Sequence, residues 1–321
     1  MAETLLQIAN LTKTFSKRHK IFGRKIENTA VDRVSFSLLE GETVGLVGES
    51  GCGKSTLARS IIRLYEPNAG QIFFDGKDIT HSDEKALKPV RREMQMIFQD
   101  PFAALDPMLT IEEIIYEPLE IHYIGTKNER KNEAAKMLER VGLPAEDVHR
   151  FPSEFSGGQQ QRIGIARALV LRPKLLICDE VVSALDVSVQ AQILNLLRDL
   201  QDEFGLSFLF ISHNIAITAF MSHRIGVMYL GKLVEIGASH QITNTPRHPY
   251  TQTLISAIPE PDPSKREMEI NAKSEIDEIT KRPTGCVFRL RCPLAQEICA
   301  AEEPELKLIS DNQKVACHLV G

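Results

Sequence analysis

Three things are scarce in this sequence: long apolar runs, surplus positive charge, and cysteine anywhere before its last stretch. No apolar run approaches the ~18 residues needed to span a bilayer, so any membrane role is expected to be peripheral and to pass through a partner. The formal net charge is -5, without the basic surplus by which nucleic-acid binding usually shows itself. MAETLLQIANLTKTF, at the start, has neither a basic n-region nor a long apolar h-region, which argues against a secretory signal and for a cytosolic protein. Cys52 and Cys178 stand alone, whereas Cys286, Cys292, Cys299 and Cys317 crowd towards the end. A reducing compartment makes disulfides a poor explanation for that crowding. One local basic stretch, Lys17, Arg18, His19, Lys20, Arg24 and Lys25, reads as a solvated loop, the alternative being contact with an acidic partner or lipid headgroups.

What is present is a chain of 321 residues, 43% apolar and 25% charged, ordinary for a folded protein and long enough for one large domain plus a small one. AIPEPDP, at 257–263, sets prolines on alternate positions, which resists helix and ladder pairing alike. It reads as a linker dividing residues 1–258 from a Cys-bearing segment at 259–321. TVGLVG (43–48) is a buried strand running into a glycine loop, and helical spacing follows over Thr56 to Leu64. LLICD (175–179) and FLFIS (208–212) are further buried strands. Between these two, Val189, Ile193, Leu196, Leu200 and Phe204 recur at helical spacing and stop at Gly205. Strands alternating with helices predict an α/β domain around a mainly parallel sheet. IEEIIYEPLEIHYI and RKNEAAKMLERVGL interrupt that alternation, predicting a helical insertion over about 101–155.

Gly48-Glu49-Ser50-Gly51-Cys52-Gly53-Lys54-Ser55 matches GxxxxGK[ST], with a strand before it and a helix after it. Glycines let backbone N–H groups turn inward, where they and the helix N-terminus hold phosphate oxygens. Lys54 would reach the β- and γ-phosphates and Ser55 would ligate Mg²⁺. LLICDE then carries Asp179 to a strand end, where a carboxylate can hold Mg²⁺, and Glu180 follows as a candidate general base. Cys52, inside the loop, is either a thiol activated by the helix N-terminus or a small tolerated side chain. FSGGQQQR (155–162) is a second glycine turn that opens a helix, and one phosphate loop does not explain it.

Read in order, GESGCGKST, MIFQDP with Gln99, FSGGQQQR, LLICDE, SALD with Asp186 and ISH with His213 resemble the nucleotide-binding subunit of an ATP-binding cassette (ABC) transporter. The resemblance covers residues from about 5 to 258. It implies a P-loop, RecA-like core with a helical subdomain. It also implies that two cassettes meet head to tail, so that each signature covers the ATP held by the opposite phosphate loop. Carried over, Phe15 would stack on adenine. Gly48, Ser50, Gly51, Cys52, Gly53, Lys54, Ser55 and Thr56 would cradle the phosphates and Mg²⁺. Gln99 would touch Mg²⁺ or the attacking water. Ser156, Gly157, Gly158 and Gln159 would contact the partner's ATP. Asp179 would serve Mg²⁺, Glu180 would be the base, Asp186 would cross the subunit boundary, and His213 would hold the γ-phosphate. Two residues depart from the family pattern: Val181 stands where proline is usual, and Asn214 where aspartate is usual. Neither removes a catalytic side chain, and Val181 is expected to loosen the turn that carries Glu180.

EVVSALDVSVQAQILNLL, the RHPYT segment and the tail GCVFRLRCPLAQEICAAEEPEL…VACH resemble the ATP-binding subunits of oligopeptide, dipeptide and nickel importers, with the fit closest to the second ATPase of the peptide systems. That implies a peptide importer, the alternatives being a nickel or other solute importer or a soluble non-transport ABC ATPase. The implied partners are a paralogous ATPase or a second copy, two permease subunits and, indirectly, a solute-binding protein, with no nucleic acid. The place would be the cytoplasmic face of the membrane. The tail spacing, C-x₅-C-x₆-C-x₁₇-C, is not that of a zinc ribbon. Four thiolates can hold zinc or an iron–sulfur cluster, or stay unliganded. The resemblance implies a [4Fe–4S] cluster on Cys286, Cys292, Cys299 and Cys317; His318, next to Cys317, is either a further ligand or, the preferred reading, a surface residue.

Overall fold

The computed structural model describes residues 3–18, 25–257, 282–310 and 312–320. His19, Lys20 and Arg24 of the basic stretch, and the linker beyond Ala257, lie outside the described residues. In chain order the strands are β1 (Thr4–Arg18), β2 (Lys25–Leu39), β3 (Thr43–Val47), β4 (Ala69–Phe74), β5 (Lys77–Asp78) and β6 (Met94–Ile97). They continue with β7 (Leu175–Asp179), β8 (Ser207–Ser212), β9 (Arg224–Tyr229), β10 (Lys232–Ala238), β11 (Lys307–Ser310) and β12 (Gln313–Val315). No helix among the described residues is long and apolar enough to cross a membrane.

The chain divides into two compact units. The first gathers the described residues within 1–6, 38–42 and 73–211. Its sheet runs β8-β7-β6, all parallel, with Ile177 paired to Leu209 on one side and Met96 on the other. β7 and β8 are buried at every position, which explains why they read as continuous apolar runs rather than as alternating ones. From Phe98 to Lys174 there is no strand. Helices Ile111–Ile121 and Lys127–Arg140 fill the predicted insertion, each opened by a threonine–glutamate capping box, Thr110 with Glu113 and Thr126 with Glu129. Helix Val187–Phe204 starts at its Asp186 cap, buries Ile193, Leu194, Leu197 and Leu200, and stops at Gly205.

The second unit gathers the described residues within 7–37, 43–72 and 212–321. One sheet here has the order β2-β1-β4 and another β11-β12-β10-β9-β3. Only β3 and β9 pair in parallel in the latter; β9–β10, β10–β12 and β11–β12 are antiparallel. The sheets are therefore mixed, which corrects the expectation of a mainly parallel one. The reason is local. β9 and β10 are joined by Leu230 and Gly231 alone, both at positive φ (43° and 80°), the tight turn that folds a chain back on itself. Beyond the linker, β12 extends the same sheet, Val315 lying opposite Glu235. An aromatic cluster of Tyr229, Tyr250 and Phe288 anchors the C-terminal segment within this unit, with Tyr229–Tyr250 centroids 4.7 Å apart and Tyr250–Phe288 centroids 5.3 Å apart.

Candidate functional site: two glycine-rich helix starts and a strand-end carboxylate pair

In the second unit, buried β3 delivers the chain to a loop at 48–53, and helix Lys54–Ile61 starts at once. Gly53 sits at φ 108°, and a Cβ there would stand 2.1 Å from the Ala30 carbonyl oxygen, so no other residue fits this helix entry. Lys54 is 3% exposed, and its Nζ lies within the curve of the loop, donating to the carbonyls of Gly48 (2.7 Å) and Glu49 (3.0 Å). Ser50 and Gly51 face outward, while Ser55 and Thr56 occupy the first helical turn. A cationic side chain beside a helix N-terminus is the arrangement that gathers a polyanion. Cys52 is buried, and burial pushes its thiol up despite Lys54 Nζ at 3.7 Å from Sγ, so it packs rather than reacts.

Phe15 stands part-exposed in the same unit, edge-on to Tyr65 (5.3 Å), with Lys13 Nζ 5.1 Å from its ring centre. A ring presented in this way can take a planar base. His213 directly follows β8 and is exposed. Asn214 caps the next helix, Ile215–Met221, its Oδ1 accepting from the N–H groups of Ala216 (2.9 Å) and Ile217 (3.2 Å). Asparagine caps a helix as well as aspartate does, so this departure from the family pattern costs the fold little.

In the first unit, β7 ends on Asp179, which is fully buried. Glu180 follows at φ 50°, a left-handed conformation that a side chain-bearing residue rarely adopts. Its N–H donates to Ile211 O (3.0 Å), and its Oε2 accepts from Gln99 Nε2 (3.0 Å). Ser183 Oγ donates to the Glu180 carbonyl (2.9 Å), and Val181 is 2% exposed. The turn is thus packed and hydrogen-bonded rather than loosened by Val181.

The signature lies in the first unit as well. Ser156 caps helix Gly157–Leu169: Gln159 N–H donates to Ser156 Oγ (3.4 Å) and Ser156 N–H donates to Gln159 Oε1 (2.9 Å). Gln159, expected to contact nucleotide, uses its side-chain oxygen in this capping box. A Cβ on Gly158 would stand 2.5 Å from Val189 Cγ1, so the helix start and helix Val187–Phe204 approach more closely than any side chain allows. Asp186 caps the latter helix, accepting from Ser188 Oγ (2.7 Å) and Val189 N–H (3.1 Å), and the Ser188 bond leads in holding its carboxyl below the usual range. Gln160, unremarked in the sequence, is buried and donates to the carbonyls of Pro152 (2.8 Å) and Phe155 (3.2 Å), tying the loop before the signature to its helix.

The tail cysteines are neighbours but not a ligand cage. Cys286 N–H donates to Cys299 O (2.8 Å), and both side chains are buried in the aromatic cluster. Burial pushes the Cys286 thiol up to about 11 and raises those of Cys292 and Cys317. No group of three or more His, Cys, Asp or Glu among the described residues is arranged to hold a metal ion. The expected four-thiolate set is thus not seen as a metal site among the described residues: Cys286 and Cys299 are buried among apolar side chains, while Cys292 and Cys317 are only part-buried. His318 is half-buried, its ring donating from Nε2 to Glu302 O (3.0 Å).

Comparison with known proteins gives two family matches: "ABC transporter" over residues 31–183, and "Oligopeptide/dipeptide transporter, C-terminal region" over 234–299. The chain is 51% identical to the oligopeptide transport ATP-binding protein AppF of Bacillus subtilis, over 99% of this chain and 98% of the relative. It is 50% identical to a putative peptide import ATP-binding protein of Brucella ovis, again over 99% and 98%. Among solved structures it resembles the cassette MJ0796, a dimeric post-hydrolysis state bound to ADP and Pi, at 31% identity and TM-score 0.66, covering 73% of this chain and 99% of that one.

Proposed function

The chain belongs to the ABC transporter family, within its oligopeptide/dipeptide branch, and from that premise we propose that it is the ATP-binding and hydrolysing subunit of a peptide importer. One observation carries the reading. Each compact unit presents a different anion-binding helix start, the Lys54 loop in one and the Ser156-capped signature in the other. A single nucleotide bound by one chain would need only the first. Two chains meeting head to tail use both, each signature supplying N–H groups and helix-dipole potential to the triphosphate on its partner. The MJ0796 cassette, a dimer with ADP and Pi bound, accords with this reading.

Within it, Lys54 neutralises the β- and γ-phosphates, Ser55 and Thr56 take up phosphate and Mg²⁺, and Phe15 stacks on adenine. Ser55, Gln99 and Asp179 all offer oxygen donors, which suits a hard cation such as Mg²⁺. The ion would supply charge neutralisation on the phosphates. Glu180, oriented by Gln99, accepts the proton of the attacking water. His213 orders the γ-phosphate. Asp186 and the signature residues Ser156, Gly157 and Gly158 serve the subunit boundary. ATP then joins two cassettes and hydrolysis releases them, a ligand-dependent shift between two arrangements.

The cassette occupies residues 1–258, with a helical subdomain at 101–155, and the C-terminal segment occupies 259–321. The partners are a second cassette, paralogous or identical, and two permease chains, at the cytoplasmic face. A groove of about 560 Å³ in the helical subdomain, lined by Phe102, Leu105, Pro107, Leu109, Ile114 and Arg167, suits a short permease helix. The [4Fe–4S] reading of the tail rests on the resemblance alone, and no step above passes through it. Iron analysis and an absorption band near 400 nm on anaerobically purified protein test it, and a colourless, iron-free preparation discards it. For the main reading, cells lacking this chain lose peptide uptake, and wild type restores it where Lys54→Ala does not. Undiminished uptake in the deletion, with the protein recovered on ribosomes or DNA, would overturn it.

A further inference from the structure

Glu49 is the second residue of the phosphate loop and is held from three directions. Its N–H donates to Tyr250 Oη (2.9 Å), its carbonyl accepts from Lys54 Nζ (3.0 Å), and its Oε2 accepts from Arg291 Nη1 (2.7 Å). Arg291 comes from beyond the linker, and its side chain is only 13% exposed. Its guanidinium lies 5.8 Å from the Tyr229 ring centre and 6.0 Å from that of Phe288. The turn that presents it is closed by the N–H groups of Arg291 and Cys292, both bonded to Phe288 O (3.0 Å each). The bond to Glu49 leads in raising the guanidinium's pKa above its usual range. The same segment reaches the other end of the loop. Arg282 Nη2 donates to Leu230 O (2.8 Å), and the adjoining Gly231 N–H donates to Cys52 O (2.7 Å).

A carboxylate in this position is a liability. The loop concentrates backbone N–H groups and Lys54 to gather a polyanion, and an unpaired Glu49 would oppose that charge at close range. We propose that Arg291 acts on the phosphate loop through Glu49: by neutralising that carboxylate, it makes the C-terminal segment part of the ATP-binding apparatus. The inference rests on the ATP-site reading above and adds to it the identity of the group that cancels the loop's own negative charge.

The test measures MgATP affinity of the full chain by calorimetry. Arg291→Gln, which keeps most of the stem over the two rings, is expected to bind about five- to tenfold more weakly. Arg291→Gln combined with Glu49→Gln is expected to return to within about twofold of wild type, because the uncompensated carboxylate is gone. Glu49→Gln alone leaves the turn's packing untouched and is expected to bind no more weakly than wild type. A merely structural tie would give no rescue in the double variant. Equal weakening of the Arg291→Gln single and double variants, unchanged affinity in Arg291→Gln, or weaker binding by Glu49→Gln alone would each overturn the proposal. Lys54→Ala serves as the control: if it binds MgATP as wild type does, the ATP-site reading itself fails, independently of Arg291.

Discussion

Gln99 Nε2 donates a 3.0 Å hydrogen bond to Glu180 Oε2, joining the second residue past β6 to the residue just after β7. The bond fixes the carboxylate of a residue whose backbone is already held in a left-handed conformation. A general base contributes about 10²–10⁴ to a proton transfer. Glu180→Gln is therefore expected to lower ATP turnover about a hundredfold or more while MgATP binding stays within about twofold. Phosphate release and equilibrium binding, measured on the same preparation, check this.

Gly158 and Val189 leave no space for a further carbon. Gly158→Ala is expected to cost about 1–3 kcal/mol in unfolding free energy, the usual penalty of overpacking. Adding Val189→Ala is expected to recover most of it. Urea unfolding of the single and double variants reads the difference, and a neutral Gly158→Ala would mean that the helix start yields more easily than the contact implies.

His248 is buried, and burial depresses its pKa to about 4 from an ordinary 6.5. Its Nδ1 accepts from Tyr250 N–H (3.0 Å), a bond that only the unprotonated nitrogen can accept. Between these two values the unfolded chain binds the extra proton and the folded chain does not. This group's stabilising contribution is thus complete above pH 6.5, falls as pH drops towards 4, and changes no further below that. The loss amounts to about 3 kcal/mol at most. Denaturation midpoints from pH 7 to 4.5 are expected to fall more steeply for wild type than for His248→Gln.

The groove in the helical subdomain makes a separate prediction. Pro107 and Leu109 line it, and Met108, between them in sequence and not itself part of the lining, holds an apolar side chain that is 81% exposed. Met108→Asp is expected to reduce peptide uptake about fivefold or more, the loss of one well-placed apolar contact, while ATPase activity without the permease is unchanged. Uptake and ATPase assays on one preparation check this.

Much of this arrangement is legible in the residues themselves. The Lys54 loop, Asp179 and Glu180 are recognisable because strands that are buried throughout read as apolar runs, and the motif residues fall at their ends. The helical insertion is legible because threonine–glutamate boxes and helical spacing coincide at Thr110 and Thr126. What escapes is long-range pairing. Leu230-Gly231 lacks the Asn-Gly signature of a tight hairpin, so the antiparallel β9–β10 pair is hidden. Nothing local in the tail predicts that β12 pairs with β10. Arg291 and Glu49 lie 242 positions apart, and neither carries a mark of the other. The capping bond of Gln159 is likewise visible only in the fold.

The division of labour between the two glycine turns is the claim on which the rest depends. The measurement that bears on it directly is ATP turnover and own-loop MgATP binding in the transporter assembled from this chain, its second cassette and the permease, with and without Gly158→Asp in this chain. Turnover is predicted to fall about a hundredfold, comparable to losing an essential transition-state donor, while MgATP on this chain's Lys54 loop binds within about twofold of wild type. Undiminished turnover, or loss of nucleotide from this chain's own loop, would contradict it.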